Sequence, residues 1–191
     1  MQNIADRMPP LRAELMDEAQ RQAAAALIAG PRKGVKGPFI PLLRSPQLLD
    51  RLQKVGEYIR FDSSLSPRLS EFAMLLVARA WTQQFEWFTH VPLARQAGTS
   101  EETIAALREG RRPGAMHADE ALVYDFITEL LAHHGVSDAT YQAGVACLGE
   151  RGVIDLVGLA GYFVTVCAVL NVAHTPPDLV DGVEPLPTLP L

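Results

Sequence analysis

Residues 65–98 read LSPRLSEFAMLLVARAWTQQFEWFTHVPLARQAG and carry the strongest helical pattern in the chain. Ser66 followed by Pro67 is typical of a helix start, because serine caps the first turn and proline presets its φ angle. Apolar residues at helical spacing then predict one long, buried helix that Gly98 closes. Since no run alternates with a period of two, we predict an all-α, single-domain fold of six to seven helices.

The other helices are predicted from apolar spacing and from start and stop residues. Thr99 and Glu102 are expected to form a capping box for a short helix that ends near Gly110. The remaining predicted helices span residues 9–29, 46–59, 118–134, 138–149 and 151–172.

Three segments are expected along the chain. Residues 1–45 should form an N-terminal helix and an extended arm, residues 46–175 a helical domain, and residues 176–191 a proline-rich tail. The glycine- and proline-rich arm over residues 30–45 is interpreted either as a lid or pocket wall, or as a strap around its own domain or a neighbouring subunit.

Composition limits the classes of function. With 48% apolar and 20% charged residues, the 191-residue chain is typical of a soluble globular domain. A net charge of −5 with scattered basic residues argues against a nucleic-acid partner. The first ten residues, MQNIADRMPP, lack the apolar core of a signal peptide, so a cytoplasmic location is expected.

The longest apolar run, from Val153 to Ala173, has nearly the length of a membrane span. It contains Asp155, Tyr162 and Asn171, and no second span accompanies it. We therefore interpret this run as a buried central helix, and no membrane partner is expected.

Cysteine and histidine spacing gives no sign of a metal site. Cys147 and Cys167 lie twenty residues apart, form no C-x-x-C pair and occur in apolar helical surroundings, where cysteine usually fills a core. The five histidines form no H-x-x-x-H or H-E-x-x-H pattern, so no metal ligands are predicted.

Four polar residues interrupt the predicted helix over residues 65–98. Arg79, Gln83, Glu86 and His90 follow one another at spacings of four, three and four, which places them on one face of a continuous helix. Glu86 and His90 are the sharpest pair, because a carboxylate at i,i+4 raises the protonated fraction of an imidazole and suits it to general acid–base catalysis. The alternative is an ordinary helix pair that contributes only to stability.

A second set of residues is predicted to bind a substrate. Arg79 and Gln83 lie next to the pair and could hold a carboxylate or an enolate oxygen. Four of the five further candidates could equally be satisfied structural polar groups, and the tryptophan among the five is more typical of a core residue than of a ligand platform. The further candidates are Arg44, Tyr58, Trp87, Tyr162 and Asn171.

Residues 65–107 resemble the carboxymuconolactone decarboxylase family, whose superfamily includes alkyl hydroperoxidase D. The shared pattern is an R-x-x-E start at Arg68, an E-x-x-x-H pair at Glu86 and His90, an A-x-x-A-G end at Gly98 and a T/S-x-E-E-I cap. Flanking segments extend the similarity to roughly residues 37–172.

The resemblance implies an all-helical subunit that assembles into homotrimers or hexamers, with active sites near subunit contacts. Members of the peroxidase branch carry a C-x-x-C dithiol shortly before the motif histidine, whereas the corresponding positions here, Phe85 to Phe88, hold no cysteine. A peroxidase role is therefore disfavoured, and the chain is similar to the decarboxylase branch, which needs no cofactor.

The function that the resemblance implies is decarboxylation of a small carboxylated lactone or keto acid through an enolate. His90 would deliver or relay the proton, Glu86 would orient it, and Arg79 or Arg44 would hold the oxyanion or the carboxylate. A related lactone isomerase or hydratase would use the same residues. The alternative from another class is a non-catalytic helical oligomer that binds a small molecule.

Overall fold

The computed structural model describes residues 5–188, and within this range all regular secondary structure is helical. The predicted all-α fold is confirmed, with eight α-helices rather than six to seven. A short 3-10 helix (Ala13–Leu15) precedes α1 (Glu18–Ala29), α2 (Phe39–Leu42), α3 (Pro46–Phe61), α4 (Pro67–Ala80), α5 (Gln84–Ala97), α6 (Glu101–Arg108), α7 (Ala118–His133) and α8 (Asp138–Ala173).

The predicted single helix over residues 65–98 is wrong, because the chain turns between α4 and α5. Thr82 adopts a left-handed φ of 46°. The Gln83 amide donates to Ala78 O at 2.8 Å, which closes α4 with the hydrogen bond of a Schellman motif. Gln83 then caps α5 with its own side chain. Glycine is the usual sequence signal for this kind of helix end, and threonine gave no such signal.

Other helix boundaries differ in smaller ways. The first long helix starts at Glu18 rather than near residue 9, because Asp17 forms its capping box. Ser100, and not Thr99, caps α6 by accepting from Thr103 N. Gly149 interrupts α8 with a φ of 71°, which corresponds to the boundary predicted between residues 138–149 and 151–172.

The core is built around α4 and α8. Helix α4 packs against α5, α7 and α8, and its residues from Leu69 to Arg79 are almost all buried. Helix α8 is the one helix within residues 5–188 whose length and composition would allow a membrane crossing. Over its most apolar stretch, 56% of the residues are buried inside the bundle. This burial agrees with the interpretation as a central core helix.

The arm over residues 30–45 packs on its own chain. Its apolar side chains form a second, smaller core with α1 and α3, and Leu52 packs against both cores. The fully buried members of this smaller core are Leu27, Phe39, Leu42, Leu43 and Leu49. Residues 1–4 of the predicted N-terminal segment and residues 189–191 of the predicted tail lie outside the described residues.

The C-terminal tail (residues 176–188) has no helix or strand and lies across α4, α5 and α6. Side chains of these helices donate hydrogen bonds to four consecutive tail carbonyls, and Leu186 N also donates to Gln84 Oε1. The donor–acceptor pairs are Trp87 Nε1 to Glu184 O, Arg108 Nε to Pro185 O, Gln84 Nε2 to Leu186 O and Arg79 Nη1 to Pro187 O. The tail is thus fixed through its backbone and through the side chains of Val183 and Leu186, which are buried in the main core.

The left-handed turn at Thr82 predicts a stabilising substitution. A β-branched residue is costly at positive φ, by about 1–2 kcal/mol relative to a residue that tolerates this region. Since asparagine tolerates it and keeps an acceptor near Arg79, Thr82→Asn should raise the free energy of unfolding by about 1 kcal/mol. Urea denaturation followed by circular dichroism measures this change.

The matched control is Thr128→Asn, because Thr128 is exposed within the regular helix α7. There, asparagine should give no gain in stability or a slight loss. An equal gain at both positions, or no gain at residue 82, would show that the backbone of Thr82 is not strained.

Candidate active site

Three ionisable side chains meet in the middle of the bundle. His90 Nδ1 lies 2.6 Å from Glu71 Oε2, and His90 Nε2 lies 3.2 Å from Glu86 Oε2. The imidazole ring also contacts the edge of Phe163, with ring centroids 5.2 Å apart. Both ring nitrogens are therefore occupied by carboxylates, and the ring is held in one orientation.

Burial and charge act in opposite directions on His90. Its side chain is only 3% exposed, and burial alone would lower the pKa of the imidazole. Hydrogen bonds to Glu71 and Glu86, together with their negative charges, outweigh burial and raise the pKa to about 9. At neutral pH the ring is an imidazolium that donates to both carboxylates.

Local helix structure positions the three groups. Glu71 lies in the second turn of α4, while Glu86 lies in the first turn of α5, where the helix dipole favours a carboxylate. Gln83 fixes the start of α5, since its Oε1 accepts from Glu86 N and its Nε2 donates to Asn171 Oδ1 at 3.0 Å. The turn between α4 and α5 thus brings Glu71 and His90 face to face.

A cavity of about 390 Å³ opens beside this cluster. Glu86 and His90 line it together with Tyr162, whereas Glu71 lies behind the imidazole. The apolar part of the wall includes four aromatic rings and three aliphatic side chains, namely Phe39, Phe61, Phe85, Phe163, Pro31, Pro38 and Val166. This volume lies within the range of small-molecule sites, and its combination of apolar walls with few polar groups is typical of them.

Basic side chains line another part of the cavity. Arg32 and Lys36 come from the arm and Arg60 from the last turn of α3, and Asp178 is the acidic group that the tail contributes. Burial raises the pKa of the Tyr162 phenol, whose surroundings include the charges of Arg32, Arg60 and Glu86.

Two arginines and a tryptophan predicted to bind substrate lie elsewhere. Arg79 is on α4, and it donates to Arg108 O and Pro187 O rather than facing the cavity. Arg44 donates to Pro9 O and Ile40 O and lines a different, apolar groove. Trp87 is 1% exposed and donates to the tail. The expectation that Arg79, Gln83, Glu86 and His90 share one helix face is wrong, because the chain turns at Thr82.

The remaining polar candidates have structural partners. Tyr58 donates to Asp155 Oδ1 at 2.9 Å, and the other carboxylate oxygen accepts from Ser64. Asn171 joins Gln83 to Trp81 O, to which its amide donates at 3.0 Å. These residues hold helices together, and none of them lines the cavity. Of the predicted substrate-binding set, Tyr162 alone does so.

Sequence reasoning missed Glu71 and the three basic residues of the cavity, Arg32, Lys36 and Arg60. Glu71 was noted only as part of the R-x-x-E pattern, in which Arg68 pairs with Asp119 and Glu120 and so has a structural role. Arg32 could not be recognised as a site residue from the sequence, because it lies in an irregular segment where helical spacing does not indicate which side chains lie together. The contact between Glu71 and His90 spans nineteen residues and depends on the turn that the helix prediction lacked.

The two cysteines lie outside the cavity. Cys167 is buried in α8, where burial raises the pKa of its thiol. Cys147 is exposed and lies in a different surface pocket beside Arg68 and Asp119. Neither thiol is placed next to the glutamate–histidine cluster.

Comparison with known proteins finds one family whose sequence model covers the residues of this cluster. The model of the carboxymuconolactone decarboxylase family matches residues 46–124. The resemblance is confirmed over this segment. The matched segment contains Glu71, Glu86 and His90, whereas Arg32 and Tyr162 lie outside it. No curated protein matches the chain.

Two solved structures share the fold over nearly the whole chain. One is described as an alkylhydroperoxidase AhpD core, an uncharacterized peroxidase-related protein from Ralstonia eutropha JMP134, with a TM-score of 0.70, 15% identity and coverage of 90% of this chain and 92% of that chain. The other is an uncharacterized peroxidase-related protein from Silicibacter sp. TM1040, with a TM-score of 0.70, 12% identity and coverage of 93% and 95%. The expected alkyl hydroperoxidase D-like fold is confirmed.

The raised pKa of His90 predicts how stability changes with pH. Because the pKa is about 9 in the fold and 6.5 in the unfolded chain, the stabilisation from the imidazolium is complete below pH 6.5 and is lost as the pH rises through 9. The shift corresponds to a loss of about 3 kcal/mol across this window. Urea denaturation at pH values from 6 to 9.5 measures it.

Glu71→Gln separates the contribution of the His90 imidazolium to the free energy of unfolding from other effects of alkaline pH on stability. With one carboxylate removed, both the pKa of His90, measured by NMR titration of the ring, and the fall in stability should decrease. Glu14→Gln, which removes an exposed carboxylate from the 3-10 helix, should change neither. An unchanged pKa in the Glu71 variant would contradict the assignment.

Proposed function

We propose that the protein is a cofactor-free enzyme that decarboxylates a small carboxylated lactone or keto acid by general acid–base catalysis. The observation that carries the proposal is the Glu71–His90–Glu86 cluster, in which a buried imidazolium is held between two carboxylates at the wall of a cavity. Such an arrangement holds a proton at a fixed place, next to a space suited to a small molecule.

The proposed reaction balances without a redox partner. The bond between the ligand carbon and its carboxylate breaks, carbon dioxide leaves, and the electron pair of that bond enters a conjugated enolate. The enolate carbon then takes a proton from the cluster, which recovers a proton from water.

Within the cluster, each residue has a separate role. Both His90 nitrogens are engaged by carboxylates, so we assign proton delivery to Glu86, which lines the cavity. His90 resupplies Glu86 through the 3.2 Å contact to Nε2. Glu71 positions the ring and stabilises its positive charge, as a carboxylate behind a catalytic histidine does in general.

Peroxide reduction by a cysteine pair receives no support from this chain. The two structures of similar fold are described as peroxidase-related. Here the cavity is lined by glutamate, histidine, tyrosine and basic residues, and by no cysteine. Proton transfer therefore fits the lining of the cavity better than thiol chemistry does.

Carbon dioxide release tests the proposal. The purified protein would be incubated with γ-carboxymuconolactone and with a panel of carboxylated lactones and β-keto acids. Glu86→Gln and His90→Gln should each lower kcat by about 10²–10⁴-fold, since general acid–base catalysis contributes that much. The rate should also depend on pH through the ionisation of the cluster.

Glu14→Gln serves as the matched carboxylate control and should leave kcat unchanged. Release that persists in the Glu86 variant would remove the assigned role. No release from any member of the panel by folded protein would contradict decarboxylation. Product analysis of the same mixtures then distinguishes a lactone isomerase or hydratase from a protein that binds the ligand without turnover, which would show thermal stabilisation only.

We also propose that the protein forms a homo-oligomer through the exposed face of α8. Large apolar residues on this face are exposed, with Ile154 at 68% and Val172 at 58%. Gly158 and Gly161 lie between them with open space above their backbones, so another helix can approach closely. A second copy of the chain would cover this apolar surface, which a monomer leaves in contact with water.

Light scattering coupled to gel filtration tests this assembly. Ile154→Asp should reduce the measured mass to that of one chain, because a charge on the buried interface is costly. Leu15→Asp, at an equally exposed apolar position in the 3-10 helix, should leave the mass unchanged. A monomeric wild-type protein would contradict the proposal.

A further inference from the structure

Among the arginines within residues 5–188, Arg32 has the most buried donor atoms without a hydrogen-bond partner, two against one each in Arg68 and Arg79. Its Nε and Nη2 atoms are buried, and neither has a hydrogen-bond partner within the described residues. A buried guanidinium without partners is costly, because its donors have lost water and gained nothing in return. Burial lowers the pKa of Arg32, whereas the neighbouring Tyr162 phenol and, more weakly, Glu57 of α3 act in the opposite direction.

Aromatic and glycine contacts hold this guanidinium in place. Its central carbon lies 4.4 Å from the ring centroid of Phe39, so the plane of charge rests on an aromatic face. On the other side, Gly56 of α3 leaves room for both Arg32 and Tyr162. A Cβ at residue 56 would lie 2.2 Å from the Tyr162 hydroxyl and 2.7 Å from Arg32 Nη2.

The free edge of Arg32 is suited to one kind of ligand. The Nε and Nη2 donors point in parallel and match the two oxygens of a carboxylate, which can accept from both at once. Arg32 lines the same cavity as Glu86 and His90. Lys36 and Arg60, both exposed, line the cavity too and give it a positive mouth.

We propose that Arg32 is the anchor for a ligand carboxylate in this cavity, with Lys36 and Arg60 attracting the anion at the mouth and Tyr162 beside it. The inference rests on the proposed function for the lactone part of the ligand. It makes the arm over residues 30–45 a wall of the binding site. In this role Arg32 takes the place of Arg79 and Arg44, the arginines that the sequence analysis assigned to the substrate. Arg32, Lys36 and Tyr162 lie outside the segment that matches the family model, whereas Arg60 lies within it.

The acidic groups around the cavity leave this assignment intact. Asp178 and Glu86 line the cavity, and neither forms an ion pair with Arg32. Glu86 is engaged by His90, whose positive charge offsets it. No carboxylate within the described residues therefore occupies Nε and Nη2, and the group that lies beside Nη2 is the Tyr162 hydroxyl.

Isothermal titration calorimetry with a non-reactive probe tests the inference. The probe is 5-oxotetrahydrofuran-2-carboxylate, a saturated lactone acid that lacks the conjugation needed to form an extended enolate. Its neutral carboxamide is the matched ligand, and inorganic phosphate is the competing anion. Wild-type protein should bind the carboxylate more tightly than the carboxamide or phosphate.

Two variants at residue 32 separate charge from shape. Arg32→Gln should weaken carboxylate binding by about 10- to 100-fold, as expected for loss of charged hydrogen bonds, and should leave carboxamide binding unchanged. Arg32→Lys keeps the charge without the paired donors and should also bind more weakly than wild type. If Arg32→Gln fails to fold by circular dichroism, Arg32→Lys and Gly56→Ala, whose Cβ would displace Tyr162 and Arg32, carry the test.

Arg44→Gln is the control, because Arg44 belongs to the same arm but lies outside the cavity. It should bind the probe as wild type does. Equal affinity of wild type and both Arg32 variants for the carboxylate, tighter binding of phosphate, or no carboxylate binding by wild type would overturn the inference. Since the probe does not react, Arg32-dependent binding without turnover of the lactone panel would overturn decarboxylation alone.

Discussion

The imidazolium of His90 lies between two carboxylates inside an apolar helical bundle, and the arrangement of α4 and α5 depends on it. Three ionisable groups in such a place are stable only if they satisfy one another, since each alone would lose its hydration without compensation. Glu71 comes from α4, while Glu86 and His90 come from α5. The pairing therefore fixes how the two helices meet, and the same contacts that stabilise the bundle hold a proton beside a cavity.

The sequence predicted the helical class and the Glu86–His90 pair because both depend on local spacing. An E-x-x-x-H pattern places the two side chains one turn apart whether the helix is long or short, so the error at Thr82 left this pair intact. It removed Arg79 and Gln83 from the predicted face, since those positions lie before or at the turn. Glu71 needed a contact across nineteen residues, which spacing along one helix cannot give.

The arm shows why charged residues in irregular chain are difficult to assign from sequence. Arg44 and Arg32 both lie between α1 and α3 among glycines and prolines, and no periodicity separates them. Their contacts in the structure distinguish the two arginines. Arg44 donates to backbone carbonyls, while Arg32 stacks on Phe39 and its Nε and Nη2 have no hydrogen-bond partner within the described residues. The glycine that admits Arg32 and Tyr162 lies on α3, and only the folded structure relates the three.

The C-terminal tail is recognised through its main chain, with four successive carbonyls accepting from α4, α5 and α6. Proline lacks an N–H, so a proline-rich segment makes few internal hydrogen bonds and leaves its carbonyls for other donors. The surface that holds the tail therefore selects an extended backbone shape together with two apolar side chains, since Val183 and Leu186 are buried in the main core. Substitutions at the exposed tail residues should therefore be tolerated better than substitutions at Val183 and Leu186, or at the donors Arg79, Gln84, Trp87 and Arg108.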